Sequence, residues 1–315
     1  MNEFILENNF KINENTPLEE IIDPVLKERQ VSLYIQREDL IHTEISGNKW
    51  YKLKYNIQEA KRLGKNTILT FGGAYSNNIY SVAAAGRIFK INTIGIIRGE
   101  KYTPLNPTLA FAKSCGMNFY YLNRESYRKK TTEEITNLLT KIFGDFYLLP
   151  EGGTNSFAVE GCSEIISKLK TDFDFVCCPC GTGGTLAGLI KGLQGEKFVL
   201  GFAVLKNASF LKENVKSLLK SLNENIQNNW DINLNYHFGG YAKFNKQLID
   251  FIVAFGSSSG IATEPIYTGK MLFGIYDLIS KGFFMEGSRI IAIHTGGLQG
   301  LAGLQQKINS HKKEC

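Results

Sequence analysis

Short runs of apolar, often β-branched residues recur along the chain, separated by longer stretches of mixed polarity. VSLYIQRE (31–38), NTILTFG (66–72), NTIGIIRG (92–99), NFYYL (118–122) and FYLLP (146–150) read as strands. FDFVCCPC (173–180), KFVLGFAVL (197–205), INLNYHF (232–238) and RIIAIHT (289–295) continue the series. Between them, segments such as 50–63, 76–89, 155–168, 184–193, 209–222 and 267–281 place apolar residues at the spacing of amphipathic helices. Near-continuous apolar strands alternating with helices predict an α/β fold whose parallel sheets are covered on both faces. In such sheets ligands bind beyond the carboxyl ends of the strands.

Those ends carry polar, glycine-rich turns. FGGAYSNN (71–78), PEGGTN (150–155), CGTGGTLAG (180–188) and HTGGLQG (294–300) each follow a predicted strand. In the third, Gly181, Gly183 and Gly184 let backbone amides point at one anion, and a helix beginning near Thr185 adds its positive end. Thr182 and Thr185 add hydroxyls. Alone, this turn serves equally as a phosphate cradle or a plain tight turn. It is neither a P-loop, since no Gly-Lys-Ser/Thr follows, nor a dinucleotide fingerprint, since Leu186 stands where a third glycine would fall. Ser76, Asn77 and Asn78 exceed what one helix cap needs, which favours a ligand. In ISGNKWYKLKYN (45–56), Lys49 stands at a helix mouth, where the dipole disfavours its ammonium form. An amine so prepared suits carbonyl chemistry. A surface lysine is the plain alternative.

Composition narrows the class. The 315 residues are 43% hydrophobic and 21% charged, with a net charge of +6. That suits one large or two intimate globular domains. No basic run exceeds HKKE near the end, so nucleic acid is not an expected partner. MNEFILENN lacks the basic and apolar segments of a signal peptide, and no apolar run is long enough to span a bilayer. A cytoplasmic location and no membrane partner are the expectation. The six cysteines and four histidines form no zinc spacing, so no metal is expected.

Taken in order, SGNK, GGAYSNN, PEGGTN, GTGGTLAG, EPIYTGK (264–270) and HTGG resemble the 1-aminocyclopropane-1-carboxylate deaminase and D-cysteine desulfhydrase family. These are pyridoxal-phosphate enzymes of the tryptophan-synthase-β fold type, and the resemblance covers most of the chain. It implies two open parallel-sheet domains, 1–48 with 161–315 as the larger and 49–160 as the smaller, with the active site between them. It also implies a homodimer and a small amino-acid substrate. Lys49 is the implied Schiff-base lysine and proton carrier. Asn77 is the implied partner of the cofactor's phenolic oxygen, and Ser76 is implied to meet the substrate carboxylate or to relay a proton, with Asn77 and Asn78 beside the substrate. Gly181, Thr182, Gly183, Gly184 and Thr185 are implied to hold the phosphate. Tyr241 and Tyr267 correspond to two active-site tyrosines, and Thr268 and Thr295 to groups near the pyridine nitrogen.

Two positions depart from the family pattern. Asn78 replaces a histidine, and GGYAKFN (239–245) matches the tyrosine loop loosely. The residue after Tyr267 separates the activities, glutamate in the deaminases and threonine in desulfhydrase-like members. With Thr268, the resemblance implies β-elimination from D-cysteine, giving pyruvate, ammonia and sulfide. The alternatives are the deaminase, giving 2-oxobutanoate and ammonia, and a non-catalytic protein that binds cofactor or amino acid.

Overall fold

The structure is a computed structural model that describes residues 10–101, 103–224 and 228–301. The chain runs β1 (Leu18–Ile21), α1 (Pro24–Glu28), β2 (Ser32–Gln36), α2 (Asn48–Arg62), β3 (Thr67–Gly72), α3 (Asn77–Phe89) and β4 (Asn92–Arg98). Then follow α4 (Pro107–Ser114), β5 (Asn118–Leu122), α5 (Arg124–Arg128), α6 (Glu133–Phe143), β6 (Tyr147–Leu149) and α7 (Ser156–Ser163). The last third holds β7 (Phe175–Cys180), α8 (Gly184–Leu193), β8 (Phe198–Ala203) and α9 (Phe210–Lys220). It closes with β9 (Trp230–Asn233), α10 (Lys246–Ser259), α11 (Thr268–Ser280) and β10 (Arg289–Ile293).

Two sheets result, of order β1-β2-β10-β7-β8-β9 and β5-β4-β3-β6. Every pairing is parallel except β1 with β2, where Leu18 faces Gln36 and Ile21 faces Leu33. The link 22–31 is too short for a crossover, so these two strands meet antiparallel at an edge. β9 lies earlier than its apolar pattern suggests: pairing with β8 ends at Asn233, and by Phe238 the backbone has turned to φ +52°. The helix expected over 155–168 stops at Ser163, and a 3₁₀ turn covers Ile166–Lys168. No helix among the described residues is long and apolar enough to cross a membrane.

The helices form where pattern and caps agree. On α2, Trp50, Leu53, Ile57 and Ala60 recur at three- and four-residue spacing, and each is at most 2% exposed. Removing the Ile57 side chain beyond Cβ costs roughly 2–5 kcal/mol. Ser76 caps α3 through Oγ, which accepts from the amides of Asn78 and Ile79 at 3.2 and 3.3 Å. Gly47 precedes α2 with φ +64°, and a Cβ there would lie 1.9 Å from the carbonyl oxygen of Thr295. A residue without a side chain thus lets the turn before α2 close onto the turn after β10.

Candidate active site

The turns after β3, β6, β7 and β10 converge on one cleft of about 510 Å³. Ser76, Glu151, Thr182 and Thr295 each bring one of them to its wall. The carboxyl ends of both sheets therefore face a common space, as parallel topology favours.

Lys49 enters from the first turn of α2, its Nζ 3.4 Å from the carbonyl oxygen of Gly152. Its amine is brought down to about 7, first by burial and then by the nearby charge of Lys52. Burial therefore supplies the main cause, where the sequence had pointed to the helix dipole. Lys52, one turn on, is 3% exposed. Its Nζ donates to Thr154 Oγ1 at 3.0 Å and to Gly152 O at 3.3 Å. Burial lowers this ammonium too. Lys52 lies in the KL that follows SGNK, where the sequence reading gave it no role; the sign was its i+3 spacing from Lys49, which puts both on one helix face.

The turn before α8 lies beside Lys52. Gly183 caps that helix with φ +88°. A Cβ on Gly184 would sit 3.2 Å from Lys52 Nζ and 2.8 Å from Thr154 Cγ2. Thr182 and Thr154 share a hydroxyl contact of 2.6 Å, and Asn48 Nδ2 donates to Thr185 Oγ1 at 2.8 Å. Among the described residues no carboxylate pairs with Lys52. A buried cation beside a glycine turn and a helix N-terminus leaves room and charge for an anion such as phosphate. The donor set fits the cofactor that the sequence resemblance implies.

Ser76, Asn77 and Asn78 all reach the wall, by different uses. Ser76 caps α3 and keeps its hydroxyl proton free to donate. Asn77 Oδ1 accepts from Gln299 Nε2 at 3.0 Å, a partner the motifs had not singled out. Asn78 is 2% exposed, and its Nδ2 is turned inward to Thr70 Oγ1 at 2.9 Å. Its Oδ1 is buried without a partner among the described residues.

Tyr241 and Tyr267 meet across the cleft with ring centroids 6.0 Å apart. Burial pushes the Tyr267 phenol well above its ordinary value, and Tyr241 adds to that. Thr295 lies on the wall, whereas Thr268 is 0% exposed and sits behind it. The Thr268 hydroxyl is buried and has no partner among the described residues. Glu264 organises this corner. Its carboxylate accepts from the amides of Ile266, Tyr267 and Thr268 at 2.6, 2.9 and 2.8 Å. Burial raises it to about 7 while the three amides act in the opposite sense.

The family described as pyridoxal-phosphate dependent enzyme matches residues 10–296. A Pyrococcus abyssi protein named as a 1-aminocyclopropane-1-carboxylate deaminase is 30% identical over 91% of this chain and 90% of its own length. The mitochondrial bifunctional D-cysteine desulfhydrase/1-aminocyclopropane-1-carboxylate deaminase of Arabidopsis thaliana is 31% identical over 85% of this chain and 73% of its own. A crystal structure of an ACC deaminase homologue superposes with a TM-score of 0.80 at 28% identity, covering 98% of both chains. A fungal L-serine ammonia-lyase from Rhizomucor miehei shares the fold at a TM-score of 0.66 and 16% identity.

Proposed function

The chain belongs to the pyridoxal-phosphate-dependent enzymes, within the 1-aminocyclopropane-1-carboxylate deaminase and D-cysteine desulfhydrase group, and from this we propose that it eliminates sulfide from D-cysteine. The observation that carries the choice is the carboxylate inventory around Thr268. Glu264 is engaged by three backbone amides. Glu151, on the cleft wall, is engaged by the Tyr127 hydroxyl at 2.8 Å and by Lys130 at 3.1 Å. Among the described residues, the unpartnered side chains at this corner are the hydroxyls of Thr263 and Thr268, and a hydroxyl does not hold a pyridine nitrogen protonated. α-Proton removal with a good leaving group tolerates the milder electron sink better than opening a carbon–carbon bond does.

When bound, pyridoxal phosphate supplies an electron sink for charge developing at the substrate α-carbon. Lys52, Asn48, Thr182 and the amides of the turn before α8 would hold its phosphate, and Lys49 would hold its aldehyde carbon. Lys49, with its amine near 7, takes the α-proton at neutral pH. Ser76 donates its hydroxyl to the substrate carboxylate, which also meets the positive end of α3. Asn77, steadied by Gln299, donates toward the cofactor. Tyr267, kept protonated by burial, donates its hydroxyl in a hydrogen bond toward the leaving sulfur, with Tyr241 beside it. The same reading takes 49–160 as the smaller domain and 1–48 with 161–315 as the larger, which is supported by the separate sheets.

The test is a panel of D-cysteine, L-cysteine and 1-aminocyclopropane-1-carboxylate, followed as sulfide, pyruvate and 2-oxobutanoate. D-Cysteine is expected to lead the cyclopropane substrate in kcat/KM by roughly 100-fold, about 2.7 kcal/mol. Thr268→Glu is expected to narrow that ratio. Equal or greater wild-type release of 2-oxobutanoate would make the enzyme a deaminase. L-Cysteine as the better substrate would reverse the handedness.

A further inference from the structure

The loop that carries Tyr241 is built from costly backbone. Phe238, Gly239, Gly240 and Ala242 have φ of +52°, +92°, +115° and +54°, and two of these residues have side chains that disfavour such angles. Its internal bonds are short-range: Gly239 N donates to His237 Nδ1 at 2.9 Å, Gly240 N to His237 O at 2.9 Å, and Lys243 N to Gly240 O at 3.1 Å. A strained loop persists only where its surroundings over-determine it. The restraint comes from α11. Lys270, 0% exposed, donates its Nζ to His237 O and to Gly240 O, both at 2.8 Å.

We propose that Lys270 is a positioning residue that holds Tyr241 against Tyr267 by bridging two carbonyls of the Tyr241 loop. Lys270 stands three residues after Tyr267 on the same helix start, so one element carries one tyrosine and pins the other. An ammonium bridges two carbonyls with charge-assisted bonds, and an apolar side chain of the same length makes neither. Burial brings this ammonium down to about 8, countered by Glu264, so the charged form prevails at neutral pH. Gly240 also backs directly on Lys206, whose backbone nitrogen a Cβ would meet at 3.3 Å. The loop is thereby held from two sides, with the Tyr241 ring, 43% exposed, left facing the cleft. The proposal rests on the cleft being the catalytic site of the lyase.

The experiment compares wild type, Lys270→Met, Tyr241→Phe and the double variant in the cofactor-loaded enzyme. Three readouts are taken: hydrogen exchange at the amides of Gly239, Gly240 and Lys243, cofactor absorbance, and kcat with D-cysteine. Lys270→Met is expected to keep the cofactor absorbance, to speed exchange at those amides about tenfold or more, and to lower kcat as far as Tyr241→Phe does. The double variant is expected to lose nothing further, because both changes remove one function. Unchanged exchange, or losses in kcat that multiply in the double variant, would overturn the proposal. If Lys270→Met fails to fold, Gly240→Ala, which strains the loop at φ +115° and crowds Lys206 with Lys270 intact, is expected to reproduce the loss of kcat; wild-type kcat there would overturn it. If D-cysteine is not turned over, the desulfhydrase reading fails by itself. The exchange comparison then decides alone, with equal rates in wild type and Lys270→Met counting against the staple.

Discussion

An amine held near 7 is about half uncharged at neutral pH, and Lys49 reaches that state because the fold withholds water from it. Two outcomes follow at this one side chain. Borohydride reduction of the holoenzyme should fix the cofactor to Lys49, and peptide mass spectrometry would reassign the role if the adduct sat on Lys52. The second outcome concerns stability in the cofactor-free protein. The folded value lies below the 10.5 of the unfolded chain, so the unfolded state binds the extra proton between about pH 7 and 10.5. Stability therefore rises with pH across that window, and the penalty is complete below pH 7. Lys49→Met should raise Tm over wild type more at pH 6 than at pH 10. Equal gains at both would mean that the fold does not depress this amine. The lysine was legible in its SGNK setting, but the cause of its low value was not: a helix dipole is local, whereas burial depends on residues as remote as Gly152.

At the scale of elements, the proposed site is built from strand-to-helix turns, and Gly184 tests this most cleanly. Gly183 needs its left-handed φ of +88°, so any side chain there strains the backbone as well as filling the turn. Gly184 is the first residue of α8, and a Cβ on it would press first on Thr154 and Lys52. Gly184→Ala should weaken pyridoxal phosphate binding by tenfold or more, about 1.4 kcal/mol, with the circular dichroism spectrum unchanged. Wild-type affinity in titration of the apo form would make the turn merely structural. These turns were legible because glycine and polar residues punctuate apolar runs. Strand β9 was misplaced because its pattern LNYHF continues past the point where β8 stops offering a partner. The antiparallel edge β1 escaped notice because LEEI is short and its centre is two glutamates.

For the whole molecule, the cleft draws on both sheets, so a bound cofactor links them. Lys52 and Thr154 contribute from one side and the turn before α8 from the other. Pyridoxal phosphate at a hundredfold excess over Kd should add about 2.7 kcal/mol, which raises Tm by roughly 5 °C in a chain of this size. Gly184→Ala at the same cofactor concentration should lose most of that gain. An equal gain in the variant, read by calorimetry, would place the cofactor's main contacts elsewhere. What the sequence determined by itself was local: most of the alternation of strands and helices, the glycine turns at strand ends, and the presence of Lys49, Ser76 and Tyr267 in motifs of recognisable spacing. Hydrophobic period and backbone preference act over a few residues, so they can be read in a linear string. Only the tertiary structure decided that four turns separated by more than two hundred residues share one cleft. It also decided that Lys52 has no carboxylate partner among the described residues, that Gln299 steadies Asn77, that Thr268 lies behind the wall, and that Glu264 is taken up by amides. Desolvation and the pairing of buried polar groups are sums over neighbours brought together by folding, and no spacing along the chain contains them.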